Sequence, residues 1–483
     1  MNTPRAKSTR AQAAPERVDA LIVGGGITGL TTAWRLMQAN PSRSVVVLEA
    51  DARAGGAATT DRVDGFCFDR GANGFLTGVP DTWQLAHDLG LGAELQEAST
   101  TSNRRWVWHR GRLVAFPMSP VALLTTPLLS PMGRLRLLAE PWVGTPAQRE
   151  ESESMLAFAQ RRIGAEAGRV FIPPVVTGIS AGPAALTEAG SLLPRMVGME
   201  VEHGSLIRAA LRRKPAPGRS GRLTSFRGAG MGRLTDVLIE RLGARLRTAT
   251  PVTGITRVPA PDGRPPLWRV QTPTGTFETP CLVLAIPARH ASPLLRPLDA
   301  AVSRHLDHLR YADIRVFGLG WQRGAGVPTD GFGFLVPRGH GVRMLGCLWS
   351  GAVFPDQAPA GGTLMRAMVG GTYDPAFAAM PHDEALALVR RELQKVMGIT
   401  RAPDVVHETM WAETIPQYRP GHQAWLRALD AALDPHTGLW LAGNSYRGIG
   451  INDCVNDGDR IARDITQAWR WIPSAAGPGS SAG

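Results

Sequence analysis

The sequence predicts an α/β protein in which a discontinuous dinucleotide-binding domain is interrupted by an α+β domain and by a smaller, mainly helical domain. Three observations carry that prediction. An apolar strand, a glycine turn and a helix occupy residues 18–40; a second glycine-rich turn leads into a last helix after Gly443; and the chain between alternates α+β composition with apolar stretches punctuated by proline. At 483 residues the chain exceeds what one hydrophobic core supports, so two or three domains are expected.

The first stretch is Val18–Val23, a short apolar strand that Gly24-Gly25-Gly26-Ile27-Thr28-Gly29 turns into a helix running to about Asn40. A second apolar strand, Val45–Leu48, ends on Glu49. This is the Rossmann-like arrangement: Gly24 permits the tight turn, Gly26 admits a pyrophosphate to the backbone, and Gly29 lets helix and strand pack closely. Free N–H groups at the helix start face the phosphates, and Glu49 is placed to accept hydrogen bonds from a ribose diol. Arg53-Ala54-Gly55-Gly56 then follows the acid with no room for a second parallel crossover. That spacing fits a flavoprotein oxidase, in which the chain crosses the FAD pyrophosphate again at Gly56 and Arg53 adds positive charge. An ordinary glycine-rich turn is the alternative.

The formal charge of +12 and pI near 10.5 invite a nucleic-acid reading, yet the excess is arginine, with only Lys7, Lys214 and Lys395 as lysines, and it is widely spread. Nucleic acid is therefore not expected as a partner. The densest run, His203–Thr235, holds no acid and suits an anionic surface, lipid headgroups included, or a solvated basic loop. Cys67, Cys281, Cys347 and Cys454 are far apart and show no metal spacing, so they read as reduced, buried thiols of a cytoplasmic protein. Residues 1–17 lack an apolar signal core; they and 473–483 read as disordered tails.

Along the chain, Gly65–Phe75 reads as a strand entering a glycine-rich turn whose Gly71 and Asn73 leave backbone bare for a planar ring. A helix near Thr82–Leu89 is expected to open a different domain, and Arg104–Trp108 reads as a strand presenting a cation beside aromatics. Leu113–Gly133 is uncharged, but Pro117, Pro120, Pro127 and Pro131 break any spanning helix. With Arg134 and Arg136 following, it suits a membrane surface, the cap of an apolar pocket, or a buried loop-helix segment. Val170–Thr187 reads as pocket wall. A turn at Ser225–Gly232 precedes a helix at Leu234–Leu242, and strands are expected at Val252–Ile255 and Cys281–Pro287 around a ribbon at Leu267–Gln271 and Gly275–Phe277. Further strands are expected at Arg315–Trp321, Gly333–Val336 and Met365–Gly370, with a helix at Asp383–Met397. Gly438–Ala442 then leads through Gly443, Ile449, Gly450 and Ile451 into a helix to about Trp471, whose N-terminus is expected to face a flavin ring and to stabilise its reduced, negative form. The resulting division assigns 18–75, 222–290 and 436–472 to FAD binding, 76–110 and 291–435 to substrate, and 111–221 to a helical, membrane-associating domain.

With both ends in view, the chain between residues 18 and 471 resembles the FAD-dependent protoporphyrinogen oxidases of the amine oxidase and phytoene desaturase superfamily. The resemblance is carried by Gly333-Phe334-Leu335-Val336-Pro337, Met344–Leu348, Val353-Phe354-Pro355, Met368-Val369-Gly370-Gly371, Ile415–Tyr418 with Gly421-His422, and Gly443–Cys454. It implies an oxidase acting on CH–CH bonds in heme biosynthesis, taking six electrons from a porphyrinogen substrate in three flavin turnovers, with oxygen as acceptor and peroxide as product. Hydride passes from a methylene bridge to the flavin, so no nucleophile–base pair or metal is required. By the same resemblance Arg105 pairs a substrate propionate, Leu335, Leu348 and Met368 sandwich the macrocycle, Gly178 lines the same pocket, and Val252 and Trp411 contact FAD. Where the family more often has Gly-Pro-Asn-Ser-Phe, this chain has Gly71-Ala72-Asn73-Gly74-Phe75, which implies a looser turn. The resemblance allows a homodimer and a peripheral contact with the cytoplasmic membrane. Rival activities are oxidation of coproporphyrinogen III to coproporphyrin III, which a mouth rich in basic residues such as Arg227, Arg338 or Arg343 would favour, and amine oxidation or carotenoid desaturation. The 6% aromatic content argues against the aromatic cage an amine oxidase needs.

Overall fold

In the computed structural model of the chain, Ala20–Val23 lies between Val45–Leu48 and Leu282–Leu284, and Leu246–Arg247 and Leu439–Leu441 complete a five-stranded parallel sheet. The structure describes residues 14–146, 151–212, 220–259 and 266–474; Lys7, Lys214 and most of both expected tails fall outside them. Strands that carry apolar residues at every position are buried on both faces, as here. One face is covered by helices Ile27–Ala39, Gly232–Leu242 and Ile451–Ala468, whose Leu30, Leu238 and Ile461 share a core with Ile22 and Val47. The other is covered by the antiparallel ribbon Gly254–Val258, Leu267–Thr272 and Gly275–Thr279 and by helices Ala288–Leu295, Ala300–Asp307 and His422–Leu433.

Three expectations are corrected here. Helix Pro80–Asp88 opens no new domain: its buried Leu85 and Ala86 join the core of the first and last helices. Glu16–Arg17 is no tail, since it pairs in parallel with Gly275–Thr279 and its charges meet Arg247 and Glu278. Arg112–Ala115 belongs with the α+β part, because it forms a hairpin with Trp106–His109 at the edge of a larger sheet.

That sheet has seven strands, in the order Val405–Gln417, Arg310–Trp321, Thr363–Gly370, Gly346–Leu348, Gly333–Leu335, Trp106–His109 and Arg112–Ala115. Side chains alternate between its faces. Phe317, Phe334, Cys347 and Ala367 share one core with Ala385, Val389 and Leu393 of helix His382–Met397. The opposite face turns toward the nucleotide domain, where Phe66 and Phe68 close over Gly320 and Gly318.

The helical part centres on Met155–Ile163 and Ala165–Ser180, the latter continuing through Pro173 and Pro174. Its interior holds a charged cluster: Arg162, Glu140 and Glu200 are fully buried, with Ser205 and the Leu206 N–H also bonded to Glu140. Among the described residues no helix is long and apolar enough to cross a membrane.

Candidate active site

The first glycine turn is shaped by three different contacts. Gly24 has φ +109°, and a Cβ there would meet the Ala285 carbonyl oxygen at 2.4 Å; a Cβ on Gly29 would meet the Gly24 oxygen at 2.0 Å. Gly26 is the opposite case, with nothing within 4 Å of a Cβ, so its exposed face is open space at the start of a helix. That open backbone beside N–H groups without partners is what a pyrophosphate requires. Gly55 closes the second crossing through its N–H to the Gly25 oxygen at 2.7 Å, which sets Gly56 directly against Gly26. Glu49 accepts from the N–H groups of Gly25 at 2.7 Å and Asp51 at 2.9 Å, and each carboxylate oxygen keeps a lone pair for a ribose hydroxyl. The Thr250 N–H donates to the Glu49 carbonyl oxygen, so the chain leading to Val252 runs beside the same acid. Arg53 is already engaged by Asp61 at 2.5 Å and by the Thr60 oxygen.

The turn at Gly71–Phe75 is held more firmly than its sequence implies. The Ala72 N–H donates to the Ala57 oxygen, a Cβ on Gly71 would meet that oxygen at 2.3 Å, and a Cβ on Gly74 would meet the Thr224 oxygen at 2.8 Å. Contact with its neighbours replaces the rigidity of the absent proline, and the serine of the family pattern has no room at Gly74. From the seven-stranded sheet, Trp411 Nε1 donates to the Arg70 oxygen at 2.8 Å, and buried Arg366 donates to the oxygens of Arg70 and Gly71. Asn73 Nδ2 is buried without a partner, as is Arg366 Nε, so polar groups without protein partners converge on this turn.

The last helix is brought to the same place because Gly458 lets its backbone approach Thr28 of the first helix. Gly443 lies 3.9 Å, measured from a Cβ, from Thr28 Oγ1 and donates to buried Asp457. Gly450 caps the helix with its N–H on Asp453 at 3.0 Å, while Ile449 and Ile451 are half-buried beside it. The loop is fastened by Tyr418, whose hydroxyl accepts from the Gly448 N–H at 2.9 Å and donates to the Asn444 oxygen. His422 stacks on Tyr418 at 4.0 Å and bonds the Tyr446 oxygen; burial brings its pKa down to about 4.

Beyond the flavin turn the sheet presents an apolar floor. Leu335, Gly346 and Met368 lie in one row across three strands, and Gly333, Leu348 and Arg366 in the next. Both rows share one face, two residues or about 7 Å apart. Gly178 closes the floor from above, a Cβ there lying 3.3 Å from Leu335 Cδ2. At one end, Phe332 joins Leu348 in a cluster with Val353 and Phe354, and the Arg105 guanidinium stands 4.8 Å over the Phe332 ring. Neighbouring Arg104 is paired with Asp330, whereas no carboxylate among the described residues pairs with Arg105. Surrounding protein partly desolvates Arg105 and lowers its pKa, although the residue retains exposed surface.

Arg366 escaped the sequence reading, yet its signal is there: a charge inside the apolar strand Thr363–Gly370, two residues before Met368 and so on the same face. Of the basic candidates, Arg343 is neutralised by a two-bond pair with Asp374, and Arg227 lies beyond the strand Leu223–Phe226, its N–H on Glu94. All four cysteines are buried and unpaired, and among the described residues no cluster could hold a metal.

An open helix start, an acid at the end of the second strand and a second glycine-rich helix start packed on the first form an arrangement that could hold a dinucleotide, with an apolar floor nearby. The chain belongs to the flavin containing amine oxidoreductase family, which matches residues 27–466. It is 30% identical to protoporphyrinogen oxidase 1, chloroplastic, of Spinacia oleracea, over 93% of this chain and 84% of that one. It is 27% identical to coproporphyrinogen III oxidase of Bacillus subtilis, over 92% and 97% respectively. A solved structure from an Exiguobacterium species superposes with a TM-score of 0.81 at 24% identity, covering 95% of this chain and all of that one, which shows the shared fold. The protein is thus an FAD-dependent oxidoreductase whose relatives act in porphyrin biosynthesis.

Proposed function

We propose that the protein oxidises a porphyrinogen to the porphyrin, passing six electrons to three molecules of oxygen and releasing three of peroxide. The observation that carries this reading is the apolar floor of Leu335, Leu348 and Met368 next to the flavin turn, with an unpaired guanidinium, Arg105, at its edge. FAD supplies the two-electron acceptor. The protein supplies orientation: Leu335, Leu348 and Met368 lie against one macrocycle face, Gly178 borders the pocket where its backbone meets Leu335, and Arg105 pairs a propionate. Gly26, Glu49 and Gly56 hold the dinucleotide, Trp411 and Arg366 fix the turn formed by Gly71 and Asn73, and Gly443, Ile449, Gly450 and Ile451 set the second helix start beside it. Arg53 adds charge near the phosphates through the same loop, and Val252 lines the nucleoside end. No side-chain base is needed.

Protoporphyrinogen IX is the substrate that Arg105 alone would serve. A second reading, coproporphyrinogen III, is favoured by Arg338, argued below. Peroxide measured against porphyrin fluorescence tests the reaction: three peroxides per porphyrin support oxygen as acceptor, and porphyrin formed without peroxide removes oxygen from the account. We also propose a peripheral membrane contact through the exposed apolar helices after Phe116, and a dimer as the assembled state; sedimentation at a single monomeric mass would exclude the dimer.

A further inference from the structure

Arg338 follows the strand Gly333–Leu335 and stands at the end of the floor opposite Arg105. Its guanidinium lies 4.8 Å over the Tyr373 ring, Tyr373 lies beside Thr177, and the next residue, Gly178, covers Leu335. Arg338 is therefore part of the same pocket wall. One nitrogen, Nη1, donates to the Arg343 oxygen at 2.9 Å. The other two, Nε and Nη2, are shielded from solvent and have no partner. Those two form the side edge of the guanidinium that receives a carboxylate through paired bonds. Asp374 is paired through both oxygens with Arg343, at 2.7 and 2.9 Å, and makes no hydrogen bond to Arg338. Leaving charged donors buried and unbonded is costly, so such a group marks a place where a ligand completes the set. Burial lowers the Arg338 pKa, and the charges of Asp374 and Glu392 offset that only in part.

Phe332, under Arg105, and Arg338 are six residues apart, about 20 Å at full extension. A floor with a cation at each end suits a macrocycle carrying carboxylates on two opposite edges. Protoporphyrinogen carries them on one edge and vinyl groups on the other; coproporphyrinogen carries four, on both. Resting on the porphyrinogen reading above, we propose that Arg338 is a second carboxylate-binding residue and that the preferred substrate is a tetracarboxylate porphyrinogen.

The test compares initial rates on coproporphyrinogen III and protoporphyrinogen IX for wild-type holoprotein, Arg338→Gln and Arg338→Lys, with FAD content and thermal midpoint recorded for each. Wild type should have the higher kcat/KM on coproporphyrinogen. Arg338→Gln should lower that value by about tenfold to a hundredfold more than it lowers the value on protoporphyrinogen, chiefly through KM. Lysine should recover part of the loss, because it restores charge without the paired geometry. Equal losses on both substrates would make Arg338 a structural residue, and unchanged kinetics on coproporphyrinogen would remove it from the site; either overturns the proposal. Wild type inactive on both porphyrinogens would instead overturn the reading beneath it.

Discussion

Gly26 is open on the side where a Cβ would project, so a larger side chain there harms nothing in the protein and fills only the space of the ligand. Gly26→Val should fold with a near-normal thermal midpoint and lose bound FAD, read from absorbance after gel filtration; flavin at full stoichiometry would refute the assignment. Gly24 and Gly29 differ, since Cβ atoms there collide with backbone and variants should fail by misfolding. Arg105 makes a different claim. Charge-assisted bonds to a carboxylate contribute about 1.5–3 kcal/mol, so Arg105→Ala should weaken substrate binding about tenfold to a hundredfold. Contact made equally in ground and transition states raises KM and spares kcat. Lysine should rescue only in part. A normal KM in Arg105→Ala with full FAD occupancy would leave Arg105 a surface cation.

The geometry of these residues was legible where it depends on the local chain. Gly24, Gly26, Gly29 and Glu49 act within one strand-turn-helix unit, and the motif spacing encodes it. Arg338 stood in the sequence only as one of several basic candidates and Arg366 only as a charge in an apolar strand, because their partners lie across the fold; only in space does Arg343 prove paired with Asp374 while two Arg338 nitrogens lack hydrogen bonds.

The loop Gly443–Gly450 depends on Tyr418 and His422, which lie at the end of strand Val405–Gln417 and the start of helix His422–Leu433. His422 is neutral when folded, its pKa of about 4 lying below the ordinary 6.5. Between those values the unfolded chain binds the extra proton, so stability is fully present above pH 6.5 and is lost as pH falls toward 4. At about 1.4 kcal/mol per unit, the full change is about 3 kcal/mol. Thermal midpoint and FAD retention should therefore both fall across that window, and His422→Gln should flatten the FAD curve. An equally steep curve in His422→Gln would assign the transition to other groups.

Helices Pro120–Thr125 and Pro131–Leu138 carry the apolar residues that the sequence left between surface and core. Val121 is 70% exposed, Met132 73% and nearby Trp142 80%. Leu128 and Leu129 of the connection between them and Leu137 of the second helix are buried in one cluster with Phe171, so the stretch is both core and surface. Arg134 and Arg136 are occupied by backbone oxygens, and the apolar side chains rather than these cations carry the membrane proposal. Flotation with anionic liposomes should weaken when Val121, Met132 and Leu135 become Ser; unchanged flotation would remove this surface from the account.

Across the whole molecule, two sheets meet at one glycine turn. The parallel sheet was legible from its continuous apolar strands, as was much of the seven-stranded sheet, because buried strands leave a short-range signal. Strand Val405–Gln417 was not, since Glu408 and Glu413 interrupt its pattern, and Glu408 finds its partners, Arg315 on the adjacent strand and His382, only across the fold. Helix Pro80–Asp88 was misplaced for a related reason: sequence shows an amphipathic face but not which core receives it. The continuous helix through Pro173 and Pro174 reflects packing outweighing propensity, with Phe171, Ile172 and Val176 buried around the prolines.

The central claim is that a porphyrinogen lying on the Leu335–Met368 floor reduces the flavin held by the two glycine turns. Anaerobic mixing of the FAD-loaded protein with porphyrinogen tests it most directly. The account predicts loss of flavin absorbance together with two electrons leaving the porphyrinogen, recovery of the flavin on admitting oxygen, and porphyrin fluorescence after three such cycles. Flavin that stays oxidised with both protoporphyrinogen and coproporphyrinogen, yet bleaches with a primary amine, would contradict it.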